Sequence, residues 1–98
     1  MIKKEPVKGK KQVKVTFVLP EDQPHGKVFL VGDFNNWQPG RHLFARRANR
    51  TWSVSLTLEA GRRYAFRYLT GRGEWLDEAE ADGREPNDYG GENCVVAT

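Results

Sequence analysis

Three aromatic residues stand in stretches that a small folded chain has little reason to make aromatic. Trp37 lies in the run D-F-N-N-W, Trp75 follows G-R-G-E, and Tyr89 sits between Asp88 and Gly90. All three are in polar, turn-forming surroundings, whereas Trp52 falls in phase with Val54 and Leu56 and is explained by core packing. An exposed aromatic ring offers a flat apolar platform to the C–H face of a pyranose and has little conformational entropy to lose. Amide and cationic donors beside it would hydrogen-bond the sugar hydroxyls and set orientation. Two rings at an angle would suit a curved α-1,4-linked chain better than the flat ribbon of cellulose. Tryptophans near turns also cap the ends of small β-sandwiches, so residue types alone leave both readings open.

The residue types that carry catalysis are poorly placed. His25 lies in a proline-flanked turn and His42 in a loop, and neither has a cysteine or second histidine at ligand spacing. G-x-S-x-G, H-E-x-x-H and phosphate-loop glycine patterns are absent from the sequence. Asp77, Glu78, Glu80 and Asp82 could in principle pair as acid and base or hold calcium. They lack the glycine and the twelfth-position glutamate of an EF-hand loop, and a solvated acidic loop describes them better. The expectation is no enzyme, no metal and no cofactor.

These residues must be positioned by a chain of 98 residues, which makes one domain. Hydrophobic residues make up 38% and aromatic ones 11%, which suits a small globular fold. No apolar run approaches the roughly 20 residues that span a bilayer, and no hydrophobic stretch follows the N-terminal lysines as a secretory signal requires. Cys94 is the single cysteine and cannot form an internal disulfide, which points to a reducing, cytoplasmic setting. The net charge of +3 is unevenly spread. Lys3, Lys4, Lys8, Lys10, Lys11 and Lys14 load the N-terminus, while residues 74–92 are strongly acidic. A lysine arm could touch nucleic acid, but a solubilising tail is the better reading, and the acidic stretch argues against a broad basic face. Residues 1–11 are therefore expected to form a flexible Lys-rich arm, and residues 12–98 the domain.

The dominant hydrophobic period is two. Val13, Val15, Phe17 and Leu19 alternate with Lys14, Thr16 and Val18, and residues 20–26 (P-E-D-Q-P-H-G) form a turn cluster. Residues 27–31 read as a mid-sheet strand, broken by Gly32 and D-F-N-N, and a weak strand is expected near residues 43–46. Residues 51–58 put Trp52, Val54, Leu56 and Leu58 on one face; residues 63–69 put Tyr64, Phe66 and Tyr68 on one face and Ala65, Arg67 and Leu69 on the other. A turn at residues 71–73, a short strand at 74–76 and a closing strand at 94–97 complete the pattern. No segment sustains helical spacing. The fold class predicted is all-β, an immunoglobulin-like antiparallel sandwich of six to eight strands.

Residues 28–37, V-F-L-V-G-D-F-N-N-W, resemble the start of the glycogen-binding early-set module, family 48 of carbohydrate-binding modules. That module occurs in isoamylases, branching enzymes and the β subunit of AMP-activated protein kinase. The resemblance continues through W-S-V at 52–54, L-E-A-G at 58–61, Y-A-F-R-Y-L at 64–69 and G-E-W at 73–75. It resumes at Asp82, Pro86-Asn87 and G-G-E-N at 90–93, covering roughly residues 12–97. By resemblance, Trp37 and Trp75 are the two sugar-stacking tryptophans and Arg67 the basic position, which strand parity turns outward. Asn93 matches the asparagine that bonds sugar hydroxyls, and Tyr89 falls where the kinase module has a leucine that enters the ring of the helical glucan. Gly91 stands where the kinase module has a sugar-contacting threonine, and the turn before Trp75 is longer than usual.

The resemblance implies a non-catalytic module that binds α-1,4-glucan such as glycogen, starch or maltooligosaccharide. The alternative it leaves is a protein-interaction module of the same fold, associating with a glycogen-metabolising enzyme or a kinase. Nucleic acid and membrane are not expected partners.

Overall fold

Alternating apolar residues give each long strand one face to bury, and two sheets bury them against each other. The computed structural model describes residues 1–20 and 22–98; Glu21, within the expected turn at 20–26, lies outside them. The strands among the described residues are β1 (Ile2–Pro6), β2 (Gln12–Pro20), β3 (Val28–Gly32), β4 (Ala45–Arg46), β5 (Thr51–Glu59), β6 (Arg63–Thr70), β7 (Trp75–Leu76), β8 (Gly83–Pro86) and β9 (Glu92–Ala97). A 3₁₀ turn, Asp33–Asn35, follows β3. One sheet runs β1-β2-β5-β4; the other runs β3-β6-β9-β8, with β7 paired to the far half of β6. All pairings are antiparallel.

The core is the set that the period-two pattern selects. Val13, Val15 and Phe17 of β2 and Val54 and Leu58 of β5 face Val28, Leu30, Phe66, Tyr68, Cys94 and Val96 of the second sheet. Phe44 joins them because Leu43 and Phe44 alternate beside β3, with Phe44 turned in and Leu43 turned out. Aromatic edges lock the centre: Phe17 meets Phe66 at 5.1 Å and Phe44 meets Tyr68 at 5.3 Å between ring centroids. Each such buried side chain contributes about 1.5–3 kcal/mol of burial energy, so the few large ones dominate so small a domain.

The first half of the expected arm is part of the sandwich. Ile2–Pro6 pairs along β2, with Ile2 opposite Phe17 and Pro6 opposite Val13. Lys4 reaches Asp82 at 2.7 Å, and the Met1 nitrogen donates to Val18 O and the Glu78 carboxylate. A lysine-rich sequence can still serve as an edge strand, because its long stems extend past the sheet while the backbone completes the ladder. Lys8, Lys10 and Lys11 lie exposed in and beside the turn that joins β1 to β2.

Asp77, Glu80 and Asp82 are exposed as a solvated acidic loop requires, but Glu78 departs from that reading. Glu78 is buried and its carboxylate accepts hydrogen bonds from the Tyr68 hydroxyl at 2.8 Å and the Glu80 N–H at 2.9 Å. Burial alone would raise its pKa; the Met1 nitrogen, the Glu80 N–H and the Tyr68 hydroxyl outweigh it and hold the carboxylate below its ordinary range. Burial, then the Glu78 charge, push the Tyr68 phenol far up. Asp82, expected in the same loop, receives the Lys4 ammonium and the Ala97 N–H.

Candidate functional site

The turn after β3 is built by side chains that bond to their own backbone. Asn35 is buried; its Oδ1 accepts the Gly32 N–H at 3.0 Å, and its Nδ2 donates to Leu30 O at 3.0 Å. The same amide lies 2.9 Å from His42 Nδ1. An amide N–H can only donate, so Nδ1 is the acceptor and His42 is the neutral ring with its proton on Nε2. Burial and then the neighbouring Arg41 charge lower the His42 pKa in the same direction. His42 thus braces a turn.

Beyond Asn35 the chain enters the left-handed region at Asn36 (φ 55°) and Trp37 (φ 56°). For a residue as bulky as tryptophan this costs about 1–3 kcal/mol, and such strain concentrates at functional positions. The Trp37 N–H closes the turn on Gly32 O at 2.9 Å. Asp33 then fixes the ring. One carboxylate oxygen accepts the indole Nε1–H at 2.9 Å, and the other accepts the Ala65 N–H of β6 at 2.8 Å.

Trp75 and Arg67 come from adjacent strands of the same sheet. Trp75 pairs with Leu69 in the β6–β7 ladder and is 45% exposed. Arg67, turned outward as parity requires, holds its guanidinium carbon 5.6 Å from the centroid of the Trp75 ring. Its Nε donates to Asp77 at 3.1 Å, so the guanidinium is clamped between a carboxylate and an indole. Its terminal nitrogens are not used by Asp77.

The third element is the loop between β8 and β9. The Asn87 side-chain Oδ1 accepts the Tyr89 N–H at 2.9 Å and the Gly91 N–H at 3.1 Å, an Asx arrangement that holds Tyr89 at the loop tip. Gly90, at φ 81°, supplies the left-handed residue that this tight return needs. The Asn87 amide donates to Asn93 Oδ1 at 3.3 Å, which orients Asn93 with its own Nδ2 as donor. Tyr89 is 95% exposed.

All five residues expected from the sequence, Trp37, Arg67, Trp75, Tyr89 and Asn93, line one open cleft of about 800 Å³ on the outer face of the β3-β6-β9-β8 sheet. Glu85, Pro86, Asn87 and Asp88 complete its wall. Two indoles, a phenol, a guanidinium, two amides and two carboxylates offer flat apolar surface beside donors and acceptors. That chemistry suits a hydroxyl-rich ligand with apolar faces. Asp33 and Asn87, which hold Trp37 and the Tyr89 loop in place, are the positions of this candidate site that residue-type reasoning passed over. Their signals were local: an acid four residues before Trp37, and an asparagine opening the turn N-D-Y-G-G.

A two-sheet antiparallel sandwich with a shallow aromatic and amide-lined cleft on one outer face has the build of a carbohydrate-binding module. The sequence profile of carbohydrate-binding module 48 (isoamylase N-terminal domain) matches residues 24–81, more than half of the chain, and the chain belongs to this family. It is 38% identical over 64 residues to the 1,4-alpha-glucan branching enzyme GlgB 2 of Xanthomonas campestris pv. campestris (strain 8004), covering 63% of this chain and 9% of that enzyme. It is 31% identical over 84 residues to the amylopullulanase of Thermoanaerobacter thermohydrosulfuricus, covering 82% of this chain and 5% of that protein. The chain therefore spans less than a tenth of the length of either curated relative. No helix among the described residues is long and apolar enough to cross a membrane.

Proposed function

We propose that this module binds α-1,4-linked glucan, non-catalytically, in the cleft between Trp37, Trp75 and the Tyr89 loop. The observation that carries the proposal is the convergence of Trp37, Arg67, Trp75, Tyr89 and Asn93 on one cleft from three separate segments of chain. Trp37 and Trp75 stack on pyranose faces, the terminal nitrogens of Arg67 and the Asn93 amide bond hydroxyls, and Tyr89 acts as the apolar wedge at the rim. That one relative is a 1,4-alpha-glucan branching enzyme and the other an amylopullulanase fits a glucan ligand. The cytoplasm is the compartment expected, since the buried thiol of Cys94 has no second cysteine to oxidise with.

Shallow, wet sites of this kind bind with Kd of roughly 10 µM to 1 mM, about −4 to −7 kcal/mol. Titration of tryptophan fluorescence with β-cyclodextrin and with maltoheptaose tests the proposal directly. Saturable quenching, lost together with glycogen pull-down in the Trp37→Ala/Trp75→Ala double variant, is the expected result; glycogen pull-down by that double variant would sink the proposal.

A second reading has its own support. In both relatives the matched segment is a small part of a much longer enzyme, so the module can serve by docking to a glycogen-metabolising polypeptide. It predicts co-purification at fixed stoichiometry and no stabilisation by glucan.

A further inference from the structure

The cleft ends at Trp75, but the apolar surface does not. Trp75 pairs with Leu69, Leu69 with Phe29, and Phe29 with Leu43, so these four side chains stand in one cross-strand row on the outer face. Their partners in the alternation, Leu76, Tyr68, Leu30 and Phe44, are the ones turned towards the core. A row that existed only to stabilise the sheet would bury its ends, yet Leu43 and Trp75 are each 45% exposed and Phe29 and Leu69 are half-buried. The row crosses three strand spacings, about 14 Å, and is one residue wide. Polar Arg67 lies in the next row on one side, and on the other β3 and β6 end at the Val28–Thr70 pair, one residue beyond the row. Four side chains in single file fall far short of the roughly 800 Å² per partner of a stable protein interface. Their shape suits a chain.

We infer that Trp75, Leu69, Phe29 and Leu43 form a track on which a linear α-glucan continues out of the cleft. The inference rests on the glucan reading of the cleft. Trp75 is the shared residue, its ring being part of the cleft wall and the first member of the row. The module would then distinguish glucans by length, since a closed ring such as β-cyclodextrin is confined to the cleft while a long linear chain gains the apolar contacts beyond it.

The test compares Kd for β-cyclodextrin and for a long linear maltooligosaccharide in the parent chain and in Leu43→Asp, by calorimetry. Leu43 is exposed, so the variant is expected to fold, and its circular dichroism and melting confirm that; Leu43→Ser serves as a second, milder change. The expected result is an unchanged β-cyclodextrin Kd with the long-chain Kd weakened about fivefold to tenfold, the worth of a partly buried leucine. Equal effects on both ligands, or none on the long chain, overturn the track while leaving the cleft reading intact, whatever the variant does to protein association. Failure of the parent chain to bind β-cyclodextrin or the long chain overturns both.

Discussion

Asp33 and Trp37 share one hydrogen bond that ties a strained aromatic ring to the edge of a sheet. Strand β3 ends at Gly32, and the Asp33 carboxylate takes over its place in the ladder by accepting the Ala65 N–H at 2.8 Å. The same carboxylate accepts the Trp37 indole N–H at 2.9 Å. Ring position is thereby set by the sheet itself rather than by the loop. Asp33→Ala is expected to free the indole and leave the Ala65 N–H without its acceptor, costing about 1–3 kcal/mol of stability. Glucan affinity should fall at least tenfold, beyond what destabilisation alone explains. The indole proton resonance of Trp37 separates the two effects: it should move to an exposed, rapidly exchanging position in the folded variant.

Trp37 carries a backbone cost that a glycine would not. At φ 56° a tryptophan is strained, and Trp37→Gly relieves the strain while deleting the ring. The expected outcome is loss of glucan binding with a melting temperature within a few degrees of the parent, because the gain of about 1 kcal/mol roughly offsets the lost Asp33 contact. Trp75→Ala, in a β-paired and half-exposed position, should lose binding by a similar factor without any compensating backbone gain. Paired thermal melts and β-cyclodextrin titrations of the two variants check this contrast.

Gly32 is required for space rather than for backbone freedom. Its backbone is extended, at φ −174°, but a Cβ there would lie 2.5 Å from Ala65 O, 2.8 Å from the Phe34 ring and 2.9 Å from Phe66 Cβ. A backbone oxygen cannot swing aside, so Gly32→Ala must separate β3 from β6 at the point where the Asp33 turn begins. We expect destabilisation of about 1–3 kcal/mol or more, as for other overpacked sites, together with weakened glucan binding through displaced Trp37. Urea unfolding with an unchanged m value would identify the loss as one of native-state packing.

Much of this architecture was legible because burial here follows parity. In β2, β5 and β6 the apolar residues of one parity, such as Phe17, Val54 and Phe66, are the ones in the core. Arg67, one step out of phase with Phe66 and Tyr68, could be placed outside from sequence alone. β1 and β8 were not legible, and for the same reason: I-K-K-E-P and G-R-E-P carry almost no apolar alternation, because edge strands are held by backbone pairing and by ion pairs such as Lys4 with Asp82. Nor did parity foresee that Val31, Ala65 and Val95, on the outer face, would be buried as completely as core residues. Arg63 helps to cover this face, its guanidinium lying 3.1 Å from where a Gly83 Cβ would stand, beside Val95. In the site, the ring-bearing residues were visible as misplaced aromatics, while Asp33 and Asn87 were hidden because each acts through backbone N–H groups that a sequence does not display.

The His42 ring is expected to make the cleft sensitive to mild acid. In the fold its Nδ1 accepts the Asn35 amide, so protonation would set two donors against each other inside the turn that carries Trp37. Burial and the Arg41 charge lower its folded pKa below the ordinary histidine value of about 6.5. The unfolded chain then takes up this proton before the folded one does. Neutral His42 therefore contributes stability that is fully present above about pH 6.5 and is lost as pH falls towards the lowered folded pKa. Glucan affinity should weaken over the same interval, because the Asn35 brace loosens as the ring charges. His42→Gln, whose side-chain oxygen can accept the Asn35 amide at every pH, should remove the pH dependence and keep binding at neutral pH. Imidazole NMR titration alongside β-cyclodextrin Kd measured between pH 5 and pH 7.5, a range chosen around the unperturbed histidine value of about 6.5, checks the sign. An affinity that rises on acidification, or a His42 resonance titrating above the unperturbed value, would show that the ring does not brace the turn as an acceptor.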